Sequence, residues 1–144
     1  MLGAVAAFGI KRVALVGASR VEKSYWQSPV LAEGAMRGEL LLGLEQARDT
    51  IVPRVTMHRR FRPFVEDELR SLAAGSLGLA ADAAADAACP RAVGQPVTLA
   101  VGPEGGFIPF ELGLLREAGM TCVSLGARTL RVEHALAALV GRMF

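Results

Sequence analysis

The segment LAVGPEGGFIPFELGLLREAGMTCVSLGARTLRVEHALAAL, residues 99–139, carries two glycine-containing turns that decide the fold. The first turn, Gly102–Phe107, follows the apolar run VTLAVG, and the second, Gly126–Arg131, follows the run TCVSLG. Apolar β-branched runs that end in glycine are typical of strands buried in a parallel sheet. After the first turn, Pro109 and Gly119 stand where a helix begins and ends, and a second helical pattern starts at about Glu133.

The same alternation of strands and helices extends over the whole chain. Strands are predicted at Arg12–Gly17, Ile51–His58, Ser76–Ala81, 97–102 and 121–126, and helices at 2–9, from Pro29 (capped by Ser28) to about Arg48, at Phe61–Ala73, at Pro109–Gly119 and from Glu133 onward. Alternating elements of this kind predict an α/β fold with a mostly parallel sheet and helices on both faces. The length of 144 residues predicts one domain, 1–144.

Composition excludes several classes of protein. Just over half of the residues (52%) are apolar, enough for a substantial core, and the net charge of +2 neither requires nor excludes a nucleic-acid partner. Cys89 and Cys122 form no close pair, which argues against a disulfide framework and a metal site. The apolar N-terminus is too short for a membrane span and lacks a basic start. We therefore expect a cytoplasmic protein without a metal.

The two turns favour one shared ligand site. In open α/β sheets, ligands bind beyond the carboxyl ends of the strands, and neighbouring parallel strands would place the turns side by side. Gly102, Gly105 and Gly106 allow close approach to the backbone, whereas Glu104 would repel a phosphate. The turns thus suit a neutral or cationic ligand. The alternative is that GPEGG is only a tight turn.

At these residues the chain resembles the ribosomal RNA small subunit methyltransferase E family. The matching motifs are GPEGGF at 102–107 and, after a helix, SLGARTLRVEHA at 124–135, and the stretch from Ser24 to Val55 is also similar. The resemblance implies a SPOUT fold with a C-terminal trefoil knot. It also implies S-adenosyl-L-methionine as cofactor, N3-methylation of a uridine in 16S ribosomal RNA, and a homodimer formed through the C-terminal helix.

The resemblance also implies the residues of the site. The cofactor would be held largely by backbone groups of two turns and a strand end: Gly102, Pro103, Glu104, Gly105, Leu125, Gly126, Leu130, Leu79 and Ala80. Uridine N3 carries a proton and lies on the Watson–Crick edge, so the base must be unpaired or flipped. Arg128 or Arg131 would stabilise the negative charge that develops on the base. Glu133 would either accept the proton or anchor Arg131.

The chain departs from the family pattern at several places. Val132 and His134 stand where threonine is usual, and Ile108 replaces the serine or threonine that normally caps the next helix. Nothing in the sequence matches the usual N-terminal RNA-binding domain. Two alternatives therefore stay open: a different RNA target, or a module that binds cofactor or RNA without catalysis.

Three further features have both a functional and a structural interpretation. Arg54, Arg59, Arg60 and Arg62 form a basic cluster that suits either RNA phosphates or a solvated loop. Trp26 and Tyr25 suit either base stacking or packing on the core. The final helix has Leu136, Leu139, Val140 and Met143 on one face. We expect this helix to form the dimer interface, and the alternative is that Leu139 lies in the chain's own core.

Overall fold

The computed structural model describes residues 1–144, which group into two compact units. The first unit comprises Met1–Val16 and Val21–Arg59, and the second comprises Gly17–Arg20 and Arg60–Phe144. Both units are α/β with parallel strands, so the predicted fold class is confirmed at that level. The strands form two separate sheets, which corrects the expectation of one sheet.

The first unit packs two helices with a two-stranded parallel sheet. Its elements are α1 (Leu2–Ala7), β1 (Arg12–Val16), α2 (Glu33–Ala47) and β2 (Arg54–His58), with 3₁₀ turns at Lys23–Gln27 and Pro29–Leu31. The strands pair in register from Arg12 opposite Arg54 to Val16 opposite His58. Leu2, Met36, Leu40 and Leu44 are buried together, and the half-buried Trp26 packs against them.

Helix α2 begins later than the sequence predicts. Ser28 accepts a hydrogen bond from the Val30 N–H at 3.4 Å, but this cap starts only a 3₁₀ turn. Ala32 is then extended, and the α-helix begins at Glu33. The residue after its end, Arg48, has a φ of 55°, a left-handed conformation that stops the helix.

The second unit contains the remaining elements. They are α3 (Phe61–Phe64), a π-helical turn (Val65–Leu69), α4 (Arg70–Leu72), β3 (Leu77–Ala81), β4 (Val97–Val101), α5 (Pro109–Glu117), β5 (Thr121–Val123) and α6 (Val132–Met143). The predicted helix Phe61–Ala73 is thus continuous but contains a π turn, which side-chain periodicity does not reveal.

The sheet of this unit has the order β4-β3-β5, and all of its strands are parallel. Strand β3 therefore lies between the two strands that lead into the glycine turns. The turns share one edge of the sheet, but they are not neighbours as expected. Two strand spacings of about 4.8 Å separate the ends of β4 and β5.

Helix α6 is buried on the face that the sequence proposed for a dimer. Leu139 and Met143 are each 1% exposed, and they share a core with Leu79, Cys89 and Val123. Leu136 is also buried. These three side chains are covered by the chain itself, which agrees with the alternative that Leu139 lies in the core, while the homodimer through α6 stays a prediction.

Candidate cofactor and RNA site

The turn after β4 is folded tightly back on its first residue. A Cβ atom on Gly102 would lie 3.0 Å from the Phe107 nitrogen and 3.2 Å from Gly106, so only glycine fits there without a shift. The Gly106 N–H donates to the Pro103 carbonyl at 2.7 Å, and Gly106 has a φ of 70°. Glu104 and Gly105 are exposed at the tip. The motif therefore presents backbone groups on a fixed turn.

The turn is anchored where it leads into α5. The Phe107 ring packs against Phe61 with a centroid distance of 5.7 Å and an interplanar angle of 54°. The buried Glu111 accepts a hydrogen bond from the Ile108 N–H at 3.0 Å. Ile108 has no side-chain acceptor for the N–H groups of the first helical turn, so Glu111 makes only one half of a capping box, the hydrogen bond from the Ile108 N–H.

The second turn follows β5 and is shaped by Ser124. Its hydroxyl oxygen accepts a hydrogen bond from the Gly126 N–H at 2.9 Å, which closes a small turn. Gly126 has a φ of 122°, a conformation that favours glycine. Leu125 is half-buried, whereas Leu130 is 39% exposed and places an apolar side chain at the surface.

The segment after β3 joins this second turn, which sequence reasoning missed. The Ser124 N–H donates to the Ala87 carbonyl at 2.8 Å, and the Cys89 N–H donates to the Ser124 carbonyl at 2.8 Å. The Ser124 hydroxyl also reaches the Ala83 carbonyl at 3.4 Å. The sequence from Asp82 to Pro96, rich in Ala, Asp, Gly and Pro, suggested only a surface loop, and backbone pairing leaves no side-chain signal.

The proposed catalytic side chains lie on one short segment. Arg128 is on the loop, Arg131 immediately precedes α6, and Glu133 is in the first turn of that helix. All three are exposed, and the guanidinium groups of Arg128 and Arg131 form no ion pair. Both roles predicted for Glu133, proton acceptor or anchor of Arg131, stay predictions.

Leu79 and Ala80 are placed differently from the other predicted cofactor residues. Leu79 is 2% exposed and packs beneath α6, and Ala80 is fully buried. Their side chains therefore lie in the core below the carboxyl edge of the sheet and not at the surface. The first exposed residue beyond this strand is Ala83.

The other candidate features divide between surface and core. Arg62 pairs with Glu66 at 2.7 Å, while Arg54, Arg59 and Arg60 are exposed. Tyr25 lies at one side of an apolar cavity of about 230 Å³ in the first unit. A second cavity, of about 210 Å³, lies between the π turn and α5. Neither cavity is lined by a predicted cofactor or catalytic residue.

No three His, Cys, Asp or Glu side chains converge on a point that would hold a metal ion. Burial raises the pKa of the Cys89 thiol, with a smaller opposing effect from the Arg142 charge, so this thiol stays protonated at neutral pH. None of the helices is both long enough and apolar enough to cross a membrane.

A parallel sheet with both glycine turns at its carboxyl edge is the arrangement in which α/β domains bind their ligands. A family model described as an RNA methyltransferase domain matches residues 1–143, and the chain belongs to that family. It is 30% identical over 138 residues to ribosomal RNA small subunit methyltransferase E of Treponema pallidum (strain Nichols). The match covers 93% of this chain and 52% of the relative, so the chain spans about half the length of that relative.

Solved structures show the same fold. One is ribosomal RNA small subunit methyltransferase E from Neisseria gonorrhoeae bound to S-adenosyl methionine, with a TM-score of 0.74 and 24% identity. Another is a Legionella pneumophila protein with bound SAM, with a TM-score of 0.79 and 22% identity. Each match covers 97% of this chain and 57% of the other. The resemblance in the sequence motifs is thus confirmed by the family match and by the fold.

Proposed function

We propose that this chain is the catalytic domain of an S-adenosyl-L-methionine-dependent methyltransferase that acts on N3 of a uridine in 16S ribosomal RNA. One observation carries the proposal: the two motif turns, after β4 and β5, lie at the same sheet edge in a chain of the RNA methyltransferase family. The relative from Treponema pallidum bears the name of a small-subunit rRNA methyltransferase, which supports the choice of RNA. An rRNA substrate in turn favours a cytoplasmic location.

The residues at this edge fit the cofactor chemically. The turns Gly102–Gly105 and Leu125–Leu130 offer backbone N–H and C=O groups for hydrogen bonds, with the exposed apolar side chain of Leu130 available to an adenine ring. When bound, S-adenosyl-L-methionine supplies a methyl group on a sulfonium cation. The exposed carboxylate of Glu104 is compatible with that positive charge and unsuited to a phosphate.

The chain's own polar residues would handle the acceptor base. As N3 loses its proton, negative charge spreads to the carbonyl oxygens of the uracil, and a nearby guanidinium stabilises that charge. Arg128 and Arg131 are suited to this because neither guanidinium is engaged in an ion pair. Glu133, one helical position beyond Val132, is the candidate for accepting the proton.

The proposed trefoil knot is supported by contacts of the segment Asp82–Pro96. This segment pairs with Ser124 and is hydrogen-bonded to the last turn of α6, at Arg142 and Met143. The C-terminal segment Gly126–Phe144 would then pass through a loop formed by the preceding chain. A crystal structure tests this, and a last helix that simply crosses the sheet edge would refute the knot.

The proposed homodimer now requires the other face of α6. Ala137, Ala138 and Gly141 are exposed there, and the terminal Phe144 is 73% exposed. Small side chains allow close approach of a second helix. Sedimentation of the chain and of an Ala138→Glu variant, which introduces a charge on this face, tests the dimer. A fully active monomer would contradict it.

Methylation of isolated small ribosomal subunits tests the proposed activity directly. The chain is incubated with S-adenosyl-L-methionine and subunits from a strain that lacks the modification, and the nucleosides are analysed by mass spectrometry. We expect 3-methyluridine at one site in 16S rRNA. Calorimetry with S-adenosyl-L-methionine and S-adenosylhomocysteine is run in parallel, and no heat with either compound at micromolar concentrations would remove the proposal.

A further inference from the structure

Glu111 is the one charged side chain that the chain buries, with 1% of its surface exposed. Its Oε1 accepts a hydrogen bond from the Ser19 N–H at 2.7 Å, and its Oε2 accepts one from the Ile108 N–H at 3.0 Å. Burial of a carboxylate is costly unless donors replace the lost water, and here each oxygen has one backbone donor. The carboxylate therefore fixes Ser19 to the start of α5.

The residue that follows Ser19 reaches the GPEGG turn. The Arg20 guanidinium donates a hydrogen bond to the Gly105 carbonyl. The stem of the same side chain lies against this glycine, because a Cβ atom on Gly105 would be 2.9 Å from Arg20 Cδ. Arg20 thus holds the tip of the turn both by a charge-assisted hydrogen bond and by contact.

We infer that Glu111 and Arg20 are positioning residues for the cofactor-binding turn. Glu111 fixes the backbone at Ser19, this fixes the origin of the Arg20 side chain, and Arg20 fixes the Gly105 carbonyl. The inference rests on the proposed function, since it assigns the held turn to S-adenosyl-L-methionine. Neither residue touches the reacting atoms in this scheme.

The turn needs such support because two adjacent glycines follow Glu104 in it. Glycine has more backbone freedom than any other residue, and Gly105 and Gly106 stand side by side. Within the turn, one backbone hydrogen bond, from the Gly106 N–H to the Pro103 carbonyl, restrains them. A turn that is already ordered binds its ligand more tightly, because ordering no longer opposes binding.

Substitutions at the two positions are expected to act differently. Arg20→Ala removes the hydrogen bond and the contact from an exposed residue, so the fold should persist. Arg20→Lys keeps a cation and one donor. Glu111→Gln retains one acceptor oxygen but places an NH₂ group opposite a backbone N–H, so one of the two buried hydrogen bonds is lost. Arg116→Ala and Glu117→Gln, at exposed positions on α5, are the matched controls.

The experiment measures S-adenosyl-L-methionine affinity by calorimetry and amide hydrogen exchange at Gly106 without ligand. For Arg20→Ala we expect about tenfold weaker affinity and faster Gly106 exchange, with an unchanged melting temperature and partial recovery in Arg20→Lys. Glu111→Gln should shift both quantities in the same direction, and the controls should match the wild type. Unchanged affinity or unchanged Gly106 exchange in Arg20→Ala would overturn the inference.

The two measurements separate this inference from the proposed function. A wild-type chain that binds no S-adenosyl-L-methionine would remove the function and the cofactor role together. Faster Gly106 exchange in Arg20→Ala would still establish that Arg20 restrains the turn. If Glu111→Gln fails to fold, the Arg20 variants decide the outcome alone.

Discussion

The Arg142 side chain donates a hydrogen bond from Nε to the Cys89 carbonyl at 2.6 Å. Arg142 lies in the last turn of α6, and Cys89 lies in the segment after β3, 53 residues earlier. The Val93 N–H, also in that segment, donates to the Met143 carbonyl at 2.6 Å. The last turn of α6 is thus hydrogen-bonded to the segment after β3, which also pairs with the second glycine turn at Ser124.

Loss of the Arg142 side chain should measurably loosen this connection. In Arg142→Ala the buried Cys89 residue loses a charged donor to its carbonyl, and we expect the free energy of unfolding to fall by about 1–3 kcal/mol. Urea denaturation measures the change. Arg116→Ala, an exposed arginine on α5, should stay within about 0.5 kcal/mol of the wild type. Equal effects of the two substitutions would show that the hydrogen bond contributes nothing.

The elements of the fold were predictable because local pattern determines them. Apolar β-branched runs and the positions of Pro109 and Gly119 mark strands and a helix without reference to the rest of the chain. The order β4-β3-β5 was not predictable in this way. Strand order depends on which strands meet after folding, and the local apolar pattern of each strand does not reveal it.

The motifs of the candidate site could be predicted from the sequence, but the residues that hold these motifs in place could not. Gly102 and Gly126 are recognisable because their backbone geometry requires glycine. Glu111 and Arg20 act over 92 and 85 residues of sequence separation, and an isolated glutamate on a helix gives no sign of burial. The orientation of α6 was also ambiguous, because its apolar face at Leu139 suits a core and an interface equally well.

Helices α1 and α2 cross at a pair of glycines. A Cβ atom on Gly43 would lie 2.1 Å from the Gly3 carbonyl oxygen, so Gly43→Ala must push the helices apart. We expect a loss of about 2–3 kcal/mol in the free energy of unfolding. Gly38→Ala, on the same helix with open space around it, should instead stabilise by about 0.5–1 kcal/mol. A thermal melt of both variants suffices, and opposite shifts are the expected result.

A substitution at Leu139 tests whether this side chain lies in the core or in a subunit interface. Because it is 1% exposed within the chain itself, Leu139→Ala should leave a cavity and cost about 2–5 kcal/mol, independent of protein concentration. Ala137→Ser, on the exposed side of α6, should be nearly neutral. Denaturation at two protein concentrations checks this. A concentration-dependent loss that is confined to Leu139→Ala would place the side chain in a subunit interface instead.

The Asp49 carboxylate makes the stability of the first unit change with pH in the acid range. A hydrogen bond from the Ile51 N–H, at 3.0 Å, and the Lys11 ammonium lower the pKa of this carboxyl below its ordinary value of 3.8. Its stabilising contribution is therefore complete above the unfolded pKa and is lost as the pH falls through the lower, folded pKa.

The variant Asp49→Asn keeps an amide oxygen for the Ile51 N–H but loses the charge that pairs with Lys11. We expect it to be less stable than the wild type at pH 6, with the difference shrinking as the pH falls below 3.8. Chemical denaturation across this pH range measures the difference. Asp86→Asn, in an exposed part of the segment after β3, is the control and should show no such convergence. A difference that is constant with pH would assign the effect of Asp49 to something other than its charge.

Substitution of Arg131 is expected to affect catalysis without affecting cofactor binding. If its guanidinium stabilises charge that develops only as N3 is deprotonated, Arg131→Ala should lower kcat about 10²–10³-fold. The Kd for S-adenosyl-L-methionine should change less than about twofold, because the proposed cofactor contacts are backbone groups of other residues.

Arg128→Ala, tested in the same assay, shows which of the two guanidinium groups acts on the base. Arg91→Ala removes an exposed arginine from the segment after β3 and controls for the loss of one positive charge. Single-turnover methylation of small ribosomal subunits, combined with calorimetry, measures both quantities. If Arg131→Ala and Arg91→Ala lower the rate equally, and added salt lowers the wild-type rate in the same way, then Arg131 contributes general attraction for RNA and not transition-state stabilisation.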